Sequence, residues 1–155
     1  MKYFTKQLWR DMNHIDPVIR KTATSQWIEN DRNYCRVFET VKAFLPDAFL
    51  DCFLSREGFH DYSIQGFSFF HDHETGYCLD IKIYKNTTRL TIRMYGIKNL
   101  QIDIPSLNDC INGTLSWGYC EFDRTETGDL CFSLLCDFQN SIELEFDTLD
   151  VSELN

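Results

Sequence analysis

The chain has 155 residues, 15 % of them aromatic, and a formal net charge of −9. That length suits one domain whose core needs no disulfide or metal staple, and the aromatic content excludes a disordered chain. The negative charge argues against nucleic acid and anionic membrane as partners, because their phosphates would be repelled, and it permits a basic protein.

Residues 2–12 mix aromatic and charged side chains. They read as a short strand followed by a helical turn in which Leu8 and Met12 share a face with Phe4. Asp16 and Pro17 predict a helix start, because Asp caps free amides and Pro is pre-set for the first helical position. Trp27, Tyr34, Val37, Phe38, Val41, Phe44 and Leu45 then form one apolar stripe at helical spacing. Pro46 interrupts it, and Pro46 with Asp47 predicts a second start. Phe49, Leu50, Phe53 and Leu54 form the second helix's apolar face, and Gly58 is its expected stop.

Near residue 60 the chain changes character. Through that residue nine Lys and Arg stand against eight Asp and Glu, whereas beyond it six stand against sixteen, a net of −10. The hydrophobic period also switches to two. Leu79, Ile81 and Ile83 alternate with polar residues, as do Leu90, Ile92 and Met94. A turn at Asn86 and Thr87 would pair Ile83 with Leu90, Ile81 with Ile92 and Leu79 with Met94 on one face. Asp80 would meet Arg93 on the other. A strand is expected near 98–104, stopped by Pro105, and a loop through Gly113 follows. Another strand is expected near 115–123, with a turn over 124–128. A second hairpin is expected between 131–137 and 141–147, with Phe132, Leu134 and Cys136 sharing a face with Ile142, Leu144 and Phe146. Its three-residue loop would be Phe138, Gln139 and Asn140, with Asn140 left-handed. The pattern amounts to an α+β domain spanning 1–155: a mainly helical region over 1–58, packed on an antiparallel sheet of about six to seven strands over 59–150.

The seven cysteines are odd in number and irregularly spaced, with no CxxC. A secreted disulfide framework uses an even set, so the expectation is a reducing cytoplasm and free thiols acting as small hydrophobes. The opening residues hold no uninterrupted apolar run, so no signal peptide is expected, and no stretch approaches the ~20 apolar residues of a membrane span.

No catalytic constellation stands out. GxSxG, HExxH and glycine-rich phosphate loops are missing, and no cofactor is expected. His60, Asp61, His71, Asp72 and His73 suggest metal ligands, since imidazole and carboxylate serve as such. On a straight strand, however, His60 and His71 would stand about 36 Å apart at ~3.3 Å per residue. A small metal-dependent hydrolase on His60, Asp61 and His71 is the alternative reading. Alternating Glu143, Glu145 and Asp147 suit a solvated strand face better than an acid–base pair. The leading candidate is a surface. If Cys120 and Phe122 point inward, then Trp117, Tyr119, Glu121 and Asp123 point outward, beside Asp137, Glu143 and Glu145. Exposed aromatics rimmed by carboxylates suit a basic protein partner. The competing reading places Trp117 and Tyr119 under the N-terminal helices.

Two blocks carry a resemblance. Lys2, Tyr3, Phe4, Thr5 and Lys6, followed by Trp9, resemble the opening of an uncharacterised bacterial family of unknown function. Phe59, His60 and Asp61, running through strands to Arg93, Met94, Tyr95, Gly96 and Ile97, resemble β-rich immunity proteins of bacterial polymorphic toxin systems. The resemblance implies a non-enzymatic protein that binds and neutralises a toxin. It supplies no catalytic residue.

Overall fold

The computed structural model describes residues 1–104, 115–137 and 140–153. Thr5 caps α1 (Lys6–Met12), its hydroxyl accepting from Leu8 N at 3.2 Å. No strand precedes that helix. α2 (Pro17–Val41) starts as expected: the Asp16 carboxylate accepts from Val18 N at 2.8 Å, and Pro17 sits where a missing N–H costs nothing. A 3-10 turn (Lys42–Phe44) leads to Pro46 and then α3 (Asp47–Leu54). α3 ends earlier than Gly58 suggests, because the chain next enters a left-handed turn at Glu57–Phe59.

Eight strands follow: β1 (Ser63–Asp72), β2 (Gly76–Lys85), β3 (Thr88–Tyr95), β4 (Asn99–Asp103), β5 (Leu115–Arg124), β6 (Leu130–Cys136), β7 (Ser141–Phe146) and β8 (Thr148–Glu153). They form one antiparallel sheet in the order β4-β7-β6-β5-β1-β2-β3-β8. The chain is therefore α+β, with eight strands among the described residues in place of six to seven. The strand beyond expectation is β8, which resumes the C-terminal strand after a break at Asp147.

The β2–β3 register agrees with expectation at every pair, including Lys85 with Thr88 across Asn86 and Thr87. Asn86 takes φ 57°, as a two-residue hairpin turn requires. On the outer face Arg93 donates to both Asp80 oxygens at 2.6 and 2.8 Å, a bidentate pair laid over the Phe70 ring. In the β6–β7 hairpin the faces agree but the register differs by two residues. Phe132 pairs with Leu144 and Leu134 with Ile142. Asn140 lies opposite Cys136, whose N–H donates to its carbonyl at 2.8 Å. Phe138 and Gln139 lie outside the described residues, as do Pro105, Gly113 and the loop between them.

The order of strands hides a closure. β3 continues into β4 through Gly96–Lys98, and β7 continues into β8 through Asp147. Asp147 N donates to Tyr95 O and Lys98 N to Glu145 O, both at 2.9 Å, so the two bent strands stay paired across the bend. On the opposite side the halves join through Ser63 with Ser116 and Ile64 with Leu115. The core lies between the halves, with Ile81, Ile92 and Met94 from one and Phe122, Phe132 and Ile142 from the other. α2 packs on β5 and α3 on β8, adding Val41, Leu45, Phe49 and Phe53. Fully buried Phe59 joins the layers, its ring 5.4 Å from Phe53 and 5.6 Å from Trp117.

Candidate functional site

β5 is the strand around which the site is organised, and a bulge decides what it presents. Trp117 pairs with Cys136 while Tyr119 pairs with Leu135, so Gly118 is the extra residue. A Cβ at Gly118 would lie 2.5 Å from the Leu135 carbonyl oxygen, closer than any side chain permits. The bulge reverses the side-chain alternation. Trp117 thereby turns into the core against Phe59 and Phe132 and is 1 % exposed. The expected outward Trp117 is corrected accordingly. The buried indole nitrogen has no hydrogen-bond partner among the described residues.

The outer face of β5 carries Tyr119, Glu121 and Asp123, and the N-terminal segment covers part of it. Tyr119 is half-buried beneath Trp27, Phe4 and His60, at ring distances of 4.4, 5.5 and 4.9 Å. Glu121 is buried, and its carboxylate accepts from three successive backbone amides: Lys2 N and Tyr3 N at 2.8 Å and Phe4 N at 2.7 Å. That contact explains why residues 2–4 are not a strand. Their amides point at one carboxylate instead of at a ladder. Glu143 is exposed and pairs with the Met1 ammonium at 3.1 Å. Asp137 is half-buried and accepts from Ser116 N at 3.1 Å.

Asp123 and Glu145 remain outward. Both lie opposite Cys131, Asp123 on β5 and Glu145 on β7. The Cys131 thiol is held above its ordinary range by partial burial and then by the negative charge of Glu145, Asp123 and Asp129. Among the described residues neither Asp123 nor Glu145 has an ion-pair partner, while Asp129 is taken by Lys98. Beside them Gln101 and Asn99 of β4 face Glu143 and Glu145.

The histidines separate. His60 Nδ1 lies 3.1 Å from the Asp61 carboxylate ahead of β1. His71 sits at the far end of β1 against Tyr77 and His73. Among the described residues no group of three His, Cys, Asp or Glu side chains is arranged to hold a metal ion. The structure therefore does not bring His60, Asp61 and His71 together. Six cysteines are free, and Cys110 lies outside the described residues.

Sequence reasoning missed a pocket of about 250 Å³ between α2, the left-handed turn and β5. Its walls are the rings of Phe4, Tyr34, Phe38, Phe53 and Tyr119, with Asp31, Glu57 and His60 at the edge. The turn that delivers Glu57 and His60 is backbone-strained: Glu57, Gly58, Phe59 and Asp61 have φ of 53°, 67°, 62° and 64°. Left-handed geometry costs a non-glycine residue roughly 1–2 kcal/mol. Burying the Phe59 ring offsets about 1.5–3 kcal/mol of that, and Asp61 N donating to Trp117 O at 2.9 Å ties the turn to β5. Gly58 was legible as a stop, but three left-handed non-glycine neighbours have no sequence signature. No helix among the described residues is long and apolar enough to cross a membrane. No family model, curated protein or solved structure matches the chain.

Proposed function

We propose that this chain is a non-enzymatic, acidic protein-binding module of the immunity type, taking a basic protein on the outer face of β4, β5, β6 and β7. One observation carries the reading: Asp123 and Glu145 flank Cys131 on three adjacent strands and face outward without a cationic partner among the described residues. Partial burial raises the thiol between them first, and the charge of Glu145 and Asp123 adds to it. Glu143 extends the strip along β7. Tyr119 and Glu121 support it from beneath the N-terminal segment, Asp137 borders it, and Trp117 acts from the core and not as a surface anchor. The resemblance to immunity proteins points the same way. The reading places the module in a reducing cytoplasm, consistent with its free cysteines.

Carboxylates on an open sheet face set encounter rate and specificity more than held affinity. A partner recovered from native cells should therefore be basic, and its association rate should fall as salt rises. Asp123→Lys and Glu145→Lys should each slow association by roughly tenfold at low salt and flatten its salt dependence, with smaller effects on dissociation. Association indifferent to salt and to both substitutions would overturn the proposal.

A further inference from the structure

We infer that the pocket between α2, the left-handed turn and β5 binds a small organic amine: an aromatic or branched apolar body carrying one ammonium group. This inference concerns a different site from the outer sheet face and stands without it.

The walls argue for the apolar body. Five aromatic rings meet around the cavity, with Phe4 5.5 Å from both Tyr34 and Tyr119, and Phe38 6.0 Å from both Tyr34 and Phe53. Ring faces of this kind attract a desolvated cation through their negative quadrupole. The rim argues for the charge. Asp31 reaches it from α2 and Glu57 from the turn, and no Lys or Arg among the described residues lines the cavity. Neither carboxylate has an ion-pair partner among the described residues. The Tyr119 hydroxyl is held neutral above its ordinary range by burial, then by Asp61 and Asp31, as expected where the local potential is negative.

The backbone argues that the cavity is built and not incidental. Gly58 lies in the wall, and a Cβ there would press on the neighbouring Phe53 ring at 3.2 Å. Strain in the same turn is retained at Glu57, the residue that carries one rim carboxylate. Strained backbone that the surroundings over-determine concentrates at binding sites. A volume of about 250 Å³ admits a compact ligand and no peptide.

The test is calorimetric titration of the full chain with phenethylammonium and with phenethyl alcohol, its uncharged match. The ammonium should bind about tenfold more tightly, the equivalent of ~1.4 kcal/mol. Asp31→Asn and Glu57→Gln replace exposed carboxylates by amides of the same shape and so preserve the fold. Each should reduce that preference by roughly threefold or more while leaving the alcohol's affinity unchanged. Proton NMR should show the Tyr119 and Tyr34 ring resonances shifting on titration with the amine. Equal affinity for both compounds, no binding of either, or a preference surviving the double substitution would overturn the inference. Tighter binding of an acetylated, amidated lysine would overturn it too, by assigning the pocket to a partner's side chain.

Discussion

At the scale of single residues, Glu121 does more for the fold than its place in an acidic strand suggests. Its carboxylate takes the N–H groups of Lys2, Tyr3 and Phe4 and so seats Phe4 against Trp27 and Tyr119. Glu121→Ala leaves three amides without an acceptor, and stability should fall by about 2–4 kcal/mol. Glu121→Gln keeps one acceptor oxygen and should fall between. Urea unfolding with an unchanged slope would read both, and an Ala variant within about 0.5 kcal/mol of the parent would refute the role. Cys120 gives a pH dependence. Desolvation pushes its thiol up to about 12 from 9.0, and burial raises the Tyr34 hydroxyl in the same direction. The folded state thus holds protons that the unfolded chain releases first. That stabilisation is complete below about pH 9 and is lost as pH climbs toward 12. Urea midpoints should decline through this window, and Cys120→Ala should make the decline shallower. An identical slope in that variant would remove Cys120 from the account.

At the scale of elements, the β2–β3 hairpin and the β5 bulge behave oppositely. Ile81 faces Ile92 at the centre of the core, and both are 0 % exposed. Ile81→Ala should cost about 2–5 kcal/mol. Gly118→Ala adds only one carbon, yet it must break the β5–β6 approach at the Leu135 carbonyl. It should destabilise by about 1–3 kcal/mol and alter the fluorescence of Trp117, whereas Gly66→Ala, with open space around it, should leave that fluorescence unchanged. The contrast also explains what could be read in advance. The hairpin was legible because three apolar pairs and one charge pair agree on a single register. The caps at Asp16 and Pro17 were legible because their chemistry is local. Trp117 was not, because one glycine reverses the alternation and nothing in the spacing announces it. Glu121 looked like surface because its partners lie more than a hundred residues away. The pocket was invisible for the same reason: its walls come from the N-terminal segment, α2, α3, the turn and β5, and only tertiary packing assembles them.

At the scale of the whole molecule, the uneven charge acquires a geometry. The near-neutral helical region supplies the aromatic layer, and the acidic region supplies both the sheet and its outward carboxylates. The N-terminal segment bridges the two, with Lys6 on Asp103 at 2.5 Å and the backbone of residues 2–4 on Glu121. The bent strands that close the sheet have a consequence in time as well as in space. Residues 141–153 pair with 90–103 on both sides of the bend, so neither half is finished without them. During synthesis β1, β2 and β3 emerge ahead of β5, β6 and β7, and the apolar face of Ile81, Ile92 and Met94 lacks the opposing Phe122, Phe132 and Ile142 until those strands have been added. Loop closure over such separations is slow, and exposed strands meanwhile invite association. Refolding should accordingly run in milliseconds to seconds. A nascent chain stalled before β7 should bind a holding chaperone, and one carried past β8 should let it go.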